Sequence, residues 1–287
     1  NNVIQGSRAA YSITSGSDNV VYGTEAAYKI TSGQQNVIMG KEAGRNITTA
    51  DKNVCIGVEA GYNTSNDYNV FVGNMSGKAN TIGIANCFIG FNAGLENTEG
   101  KRNVFIGSNA GAANIQGDYN VCIGQFSGID AVLGDGNTFI GKSTGYAASG
   151  SEQCVLIGQS AGLSADNASN SISVGFEAGY YNNGANNIFI GYKTGRSVTS
   201  GANNLFLGDS AGFSTTTGKH NVFIGSQAGY DENGSHKLYI ENTNADENGA
   251  LIYGEFDNDI LRFNATIDGD LNLTAGHTVN VDGLSLS

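Results

Sequence analysis

Three consecutive, mostly apolar positions recur along most of the chain, nearly always between an Asn and a Gly. In the middle of the chain this unit reads Asn-Val-Phe-Ile-Gly at residues 103–107. The closing glycine returns every 17 residues from Gly6 to Gly225, with two intervals of 16. Val is commonest at the first apolar position, Phe or another apolar residue at the middle one, and Ile or Val at the third. A period this regular indicates a repeat protein.

A short strand followed by a glycine turn fits each period better than a helix does. Most periods carry a second glycine, such as Gly111 after Gly107, and none carries a 3.6-residue apolar stripe. The chain also contains no proline, which would delete a hydrogen bond from a strand ladder. The sequence therefore predicts an all-β protein whose residues 1–235 form a β-solenoid of about fourteen 17-residue coils.

The Asn before each apolar triplet is predicted to be architectural. It is present in twelve of fourteen copies, with Cys154 and Ser171 as the exceptions. Asn tolerates left-handed backbone at a turn, and stacked Asn side chains can also form a hydrogen-bonded ladder along the axis. We expect the coil turn to be set by Asn36, Asn53, Asn103, Asn120, Asn221, Gly107 and Gly111.

The middle apolar position is predicted to face out of the coil. Alternate residues of a strand point to opposite sides, so inward Val104 and Ile106 would place Phe105 outside. Monomeric proteins rarely expose a long apolar stripe, so a second surface should cover this one. We expect self-association, with a parallel homotrimer as first choice, through Phe71, Phe88, Phe105, Phe139, Phe189, Phe206 and Phe223. The alternative is that turns of the same chain fold over this row.

The pattern changes after the repeats. Residues 236–265 contain three short apolar runs separated by turn residues, which predicts a β-meander that caps the solenoid or joins it to the next part. Residues 266–287 alternate apolar and polar positions, which predicts the start of a slimmer trimeric β-fibre.

Composition and charge restrict the partners. The formal net charge is −12 with only 14 Lys and Arg, which disfavours nucleic acid and anionic membrane surfaces. No apolar run approaches the roughly 20 residues that cross a bilayer, so we expect no membrane insertion. The many Asn, Ser, Thr and Gly residues are typical of an extracellular filament. The four cysteines replace repeat residues at spacings that match no metal motif, and we interpret them as small apolar fillers.

One acidic column is a candidate for cation binding. Glu25, Glu42 and Glu59 occupy equivalent positions in three successive coils, about 5 Å apart if the coils stack. Such carboxylates repel one another unless a divalent ion or nearby Lys and Arg residues compensate. Salt bridging is the preferred interpretation, and no metal or other cofactor is predicted.

Catalysis within this segment is not predicted. Glycosidases use paired carboxylates, whereas Glu177, Asp209 and Asp231 have no evident partner in the sequence. The three histidines form no metal spacing, and the glycines open no helix that could hold phosphate. A Thr column suitable for ice binding begins at Thr14, Thr31 and Thr48 but fails midway along the chain.

The repeat units resemble those of a known group of fibres. Residues 103–111 and 221–229 are similar to the Asn-x-x-Ile-Gly-x-x-Ala repeats in the β-roll heads of trimeric autotransporter adhesins. They are also similar to repeats in bacteriophage tail fibres and tailspikes and in the tail fibres of contractile injection systems. The resemblance covers residues 1 to about 273.

This resemblance implies a non-enzymatic, homotrimeric fibre segment on a cell surface or on the tail of a virion or injection particle. Such a segment would serve as a rigid shaft and attachment module for a cell-surface glycan or a surface protein. The variable arcs at 45–52, 62–68, 95–102 and 213–220 would contact the receptor. The alternatives are a tailspike that depolymerises polysaccharide and a monomeric solenoid that binds ice or a glycan.

Overall fold

The computed structural model describes residues 1–130 and 132–264, and the predicted slim fibre at 266–287 lies outside this part. The described part is all-β, with no helix and hence no helix that could cross a membrane. The first fourteen strands are β1 (Val3–Gln5), β2 (Val20–Tyr22), β3 (Val37–Met39), β4 (Val54–Ile56), β5 (Val70–Val72), β6 (Cys87–Ile89), β7 (Val104–Ile106), β8 (Val121–Ile123), β9 (Thr138–Ile140), β10 (Val155–Ile157), β11 (Ile172–Val174), β12 (Ile188–Ile190), β13 (Leu205–Leu207) and β14 (Val222–Ile224). They are followed by β15 (Lys237–Ile240), β16 (Ile252–Glu255) and β17 (Ile260–Phe263).

All seventeen strands belong to one sheet, in which each strand pairs with the next along the chain. From β1 to β15 the pairing is parallel, and equivalent positions of successive repeats stand directly opposite each other. Strands β15, β16 and β17 then pair antiparallel. The β-solenoid of about fourteen coils is therefore confirmed, with one short strand in each coil.

Backbone conformations that exclude most side chains turn each coil. In the seventh coil, Arg102, Gly107, Asn109 and Gly111 all have positive φ. A Cβ on Gly107 would lie 2.5 Å from the carbonyl oxygen of Gly124 in the next coil, so only glycine allows the coils to stack this closely. The first two coils have Ala10 and Ala27 at the position of Gly111, with φ of 44° and 46°.

The middle strand position faces into the coil, so the orientation predicted from the sequence is wrong. Phe71, Phe88, Phe105, Phe139, Phe189, Phe206 and Phe223 are fully buried within a single chain, and they are not available to contact another chain. Stacked rings join successive coils, with centroids 4.8 Å apart between Phe88 and Phe105. A Cβ on Gly111 would lie 2.6 Å from the Phe105 ring. The narrow coil therefore has room for one aromatic ring because the residue facing that ring is a glycine.

The Asn column links each coil to the next by hydrogen bonds. The Asn103 side chain is fully buried, and its Oδ1 accepts the backbone N–H of Asn120 at 2.8 Å. Its Nδ2 donates to the Gly117 carbonyl oxygen at 2.8 Å. The same bond, from the backbone N–H of one Asn to the Oδ1 of the preceding Asn, joins successive column residues from Asn2 to Asn137 and from Asn187 to Asn221. The predicted turn residues Asn36, Asn53 and Asn120 are among these acceptors. Positive φ falls on the residue before the Asn and not on the Asn itself.

The Asn column is modified where coils 10 and 11 meet. Cys154 replaces one column Asn, and its Sγ donates to the Ala168 carbonyl oxygen at 3.0 Å, as an Asn Nδ2 would. Ser171 Oγ accepts the backbone N–H of Asn187 at 3.1 Å. The middle position of β11 is Ser173, whose buried Oγ has no hydrogen-bond partner. Between Ala168 and Ala178 the continuous apolar core divides into two clusters.

Both coils of 16 residues follow a small residue at the middle strand position. The shorter intervals are Gly57 to Gly73 and Gly175 to Gly191, and the residues before them are Cys55 and Ser173. A shorter perimeter encloses a smaller interior, and close-packed interiors tolerate little change in volume. Both short coils thus follow a small middle side chain, although Cys122 shows that a small one also occurs before a 17-residue interval.

We predict that Asn103→Ala lowers the free energy of unfolding by about 1–3 kcal/mol, because the buried backbone N–H of Asn120 loses its acceptor. The Gly117 carbonyl keeps the bond that Asn114 Nδ2 donates. Denaturant unfolding measures this change. Asn74→Ala is the control, since Asn74 is exposed and outside the Asn column. Equal stability of the two variants would contradict the structural role of the Asn column.

We predict that Ser173→Cys stabilises the chain by about 1 kcal/mol, because it removes a buried hydroxyl that has no partner. It also copies Cys55, the middle residue before the other 16-residue coil. Ser173→Phe should instead destabilise the chain by about 1–3 kcal/mol through overpacking. Thermal unfolding of both variants tests this relation, and a more stable Phe variant would show that coil length does not limit the interior.

A polar network connects β15, β16 and the turn that leads to β17. Glu255 Oε1 accepts the Tyr253 hydroxyl at 2.6 Å and lies 2.9 Å from Lys237 Nζ, while Asn258 Nδ2 donates to Glu255 Oε2. These contacts, with the Tyr253 bond foremost, lower the pKa of Glu255 to about 2. Burial and the Glu255 hydrogen bond raise the pKa of Tyr253 to about 12. The network therefore favours an ionised Glu255 beside a neutral Tyr253.

The lowered pKa of Glu255 predicts acid sensitivity of these strands. The stabilisation is present above the ordinary value of 4.5 and is lost as the pH falls through about 2. The melting temperature of Glu255→Gln should therefore lie below that of the unmodified chain at pH 6, and the two should converge near pH 2. Glu99→Gln, at an exposed position in an arc, should show no such convergence. A difference that is independent of pH would contradict this assignment.

Candidate functional site

The outward side of the sheet carries two unbroken columns without a charged residue. These columns are the first and third positions of β1–β14, two on each of fourteen strands, and none is Asp, Glu, Lys or Arg. Most are Val, Ile or Leu, and every one of them is half-buried or exposed. We call this surface the aliphatic face. It contrasts with a chain whose net charge is −12.

The aliphatic face continues beyond the coils. Leu238 and Ile240 of β15 extend the two columns in register with Val222 and Ile224. Across the antiparallel strands, Ile252 stands opposite Ile240, and Phe263 stands opposite Ile252. Phe263 and its neighbour Leu261 are each 56% exposed. All seventeen strands thus share one apolar outer surface.

The extent of the aliphatic face exceeds what isolated surface hydrophobics explain. Fourteen strands at about 4.8 Å spacing make it about 65 Å long. Large exposed apolar patches usually mark interaction sites. This surface was not predicted from the sequence, because the Val and Ile positions were assigned to the core. The absence of charged residues from both columns is nevertheless visible in the sequence.

The three stacked glutamates are paired with basic side chains. Glu25 Oε2 accepts from Arg45 Nε at 3.0 Å, and this bond is the main cause that lowers the pKa of Glu25. Glu42 lies 3.6 Å from Lys41 Nζ, and Glu59 lies 2.6 Å from Lys78 Nζ. In the described ranges no group of three or more His, Cys, Asp or Glu residues has the arrangement of a metal site.

The other carboxylates considered for catalysis also have local partners. Glu177 Oε2 accepts from Arg196 Nε at 2.8 Å, and Asp209 Oδ1 accepts the Ser210 hydroxyl at 2.7 Å. Asp231 lies in a concave region near Tyr239, where its Oδ2 accepts from Asn244 Nδ2 at 3.2 Å. Each of the three carboxylates therefore has a hydrogen-bond partner within the chain.

The Thr column is used within the solenoid. The Thr14, Thr31 and Thr81 hydroxyls donate to the backbone carbonyl of the equivalent residue one coil later, at 3.0 to 3.1 Å. Because these donors already have acceptors, the column does not present a row of free hydroxyl donors to solvent.

The four cysteines are free thiols. Cys55 and Cys122 are fully buried at the middle strand position, and burial raises the pKa of each to about 12. Cys154 lies in the Asn column, and Cys87 lies on the aliphatic face. A high thiol pKa suppresses the reactive thiolate, so the two core cysteines serve as packing residues.

A second surface column combines aromatic and basic residues. It lies five residues after each closing glycine and contains Tyr11, Tyr28, Arg45, Tyr62, Tyr146, Tyr180, Arg196, Phe213 and Tyr230. Rings of successive coils stack, as in Tyr11 on Tyr28 at 5.3 Å and Phe213 on Tyr230 at 5.0 Å. Arg45 and Arg196 each stack between aromatic rings of the coils on either side.

Comparison with known proteins gives no relative from which a function could be transferred. No model of a protein family matches the chain, and no curated protein and no solved structure matches it.

Proposed function

We propose that this chain is a segment of a homotrimeric fibre, in which the aliphatic face of each copy lies against the other two. The observation that carries this proposal is the continuous, uncharged outer surface of all seventeen strands. Covering it would remove many half-exposed Val and Ile side chains from water, at about 25 cal/mol for each Å² buried.

A second copy of the same chain is the occupant that best matches this surface. Two copies of the chain have aliphatic faces of equal length and equal coil spacing, so aliphatic ridges can interlock along the whole axis. The charges that would repel between chains of net charge −12 lie elsewhere on the coil. An unrelated partner would need a matching apolar surface about 65 Å long.

Three copies cover both columns of each aliphatic face. The first and third positions of a strand point outward about 7 Å apart. Around a threefold axis, the first column of each copy contacts the third column of its neighbour, and the ring closes without unpaired surface. This contact replaces the Phe row that the sequence suggested and keeps the predicted symmetry.

The assembly would act as a rigid extracellular shaft and attachment module. The polar arcs point away from the proposed axis, where three equivalent sites can engage a cell-surface glycan or a surface protein together. A role on a cell surface or on the tail of a virion or injection particle follows from the resemblance of the repeats to adhesins and tail fibres. The C-terminal strands would cap the coils and continue the aliphatic face.

We predict that Val121→Lys weakens assembly by at least about tenfold, since a desolvated charge in the interface costs more than 1.4 kcal/mol. Val121 lies on β8 at the first position, half-buried in the single chain, so the monomer should tolerate the change. Light scattering coupled to size exclusion, over a range of concentrations, measures the mass of each variant.

Val132→Lys is the matched control for this experiment. Val132 is exposed in the arc after β8, so the same substitution should leave a mass of three chains. A persistent monomer in the unmodified chain would exclude the trimer, and a stable mass of two chains would replace it with a dimer. Equal effects of the two substitutions would show that the aliphatic face is not the interface.

A further inference from the structure

We propose that Arg196, stacked between Tyr180 and Phe213 beside the exposed ring of Tyr181, binds the acidic group of an anionic sugar. The ligand class is a saccharide whose ring carries a carboxylate or a sulfate. This inference rests on the proposed attachment function and assigns it a site and a ligand chemistry.

The guanidinium of Arg196 is held rigidly. Its central carbon lies 4.9 Å from the ring centroid of Tyr180 and 5.8 Å from that of Phe213, which belong to the preceding and following coils. Nε donates to Glu177 Oε2 at 2.8 Å. Stacking on both faces and one bond at Nε together fix the plane of the guanidinium before any ligand arrives.

The two terminal nitrogens of Arg196 are available to a ligand. Within the described part of the chain they have no hydrogen-bond acceptor, and they are not among the buried polar atoms that lack a partner. The side chain is 27% exposed, so these donors face solvent. A planar pair of N–H donors matches the two oxygens of a carboxylate or sulfate.

Arg45 has similar surroundings, but one of its terminal nitrogens already has a hydrogen-bond acceptor. It stacks between Tyr28 and Tyr62, and its Nε donates to Glu25. However, Arg45 Nη1 donates to the Tyr62 hydroxyl at 3.3 Å. The equivalent residue beside Arg196 is Phe213, which has no hydroxyl. One aromatic hydroxyl thus occupies a terminal nitrogen of Arg45, whereas both terminal nitrogens of Arg196 lack an acceptor in the described part of the chain.

An exposed aromatic ring accompanies the open guanidinium. Tyr181 is 42% exposed and packs edge-on against Tyr180, with centroids 4.5 Å apart. Its ring lies 5.6 Å from the Arg196 guanidinium carbon. The apolar C–H face of a sugar can stack on such a ring while its hydroxyls stay in water.

Charged side chains of both signs surround the site. Lys193 stands one coil after Glu177 in the same column, and its Nζ lies 5.0 Å from the centroid of the exposed Tyr192 ring. Arg196 and Lys193 are offset by Glu177 and by Asp209, which stands one coil after Tyr192 in the same column. The planar donor pair of Arg196, and not a net local charge, therefore selects the anion.

Titration of the full chain with short oligosaccharides tests the proposal, with calorimetry and chemical-shift changes as readouts. Trigalacturonate supplies carboxylates, a heparin-derived trisaccharide supplies sulfates, and maltotriose is the neutral reference. We expect at least one acidic trisaccharide to bind and maltotriose not to bind. The stronger acidic ligand identifies the preferred anion.

Three variants test the geometry. Arg196→Lys keeps the charge but removes the planar donor pair, and it should weaken binding by at least about tenfold. Phe213→Tyr should also weaken binding, because its hydroxyl can occupy the open guanidinium as Tyr62 does at Arg45. Arg45→Lys should leave the affinity unchanged. Melting temperature and solution mass are measured for every variant.

Equal affinity of Arg196→Lys and Arg45→Lys would overturn the proposal, as would equal binding of acidic and neutral trisaccharides. A purely structural role for Arg196 predicts a lower melting temperature without any acidic ligand. Because each trisaccharide engages one site, the result does not depend on assembly. Sugar binding by a monomer would reject the trimer alone, whereas a trimer without sugar binding would reject this site alone.

Discussion

The hydrogen bond that the Oδ1 of each column Asn accepts from the backbone N–H of the equivalent residue in the next coil sets the stacking of the whole array. It fixes the distance between equivalent positions of successive coils, and with that distance the Gly column, the Phe rings and the outer columns all come into register. An apolar residue in the Asn column would leave a buried backbone N–H of the next coil without an acceptor. At Cys154 and Ser171 the sequence keeps hydrogen-bonding atoms, and the bonds persist in altered form.

In this narrow coil, the residues that stabilise the fold differ from the residues that are exposed for recognition. Its interior holds the middle strand side chain, the column Asn, the small residue and the Gly after the closing glycine, and one more buried column seven residues after that glycine. This last column includes Ile30, Ile47 and Val198. Both neighbouring strand positions and most of the arcs remain outside. Because equivalent outer positions form columns, a change in one column creates a surface that extends over several coils. The aliphatic face is one such surface, and the column of aromatic and basic residues five positions after each closing glycine is another. They lie on different parts of the coil.

The sequence predicted the period, the strands and the solenoid, because glycine spacing and apolar triplets report local geometry directly. It did not predict which side of the strand faces inward. The alternation of side chains along a strand shows that Phe105 points away from the side of Val104 and Ile106, but not which side is the interior. The interior side depends on Gly111, which leaves room there for an aromatic ring. Arg196, Tyr180 and Phe213 are adjacent only through the coil period, and comparing the fifth residue after each closing glycine would have shown the column. The hydrogen bonds of Arg45 and Arg196 depend on three-dimensional positions and could not be read from the sequence.

Native-state hydrogen exchange of the Asn-column amides tests the central claim most directly. We expect the slowest exchange at the column N–H groups from Asn36 to Asn137, where an Asn Oδ1 accepts each bond, and faster exchange at Ser171 and Asn187. Arc amides should exchange faster than both groups. Asn-column amides that exchange as fast as those of the arcs would show that this side-chain ladder does not hold the coils together.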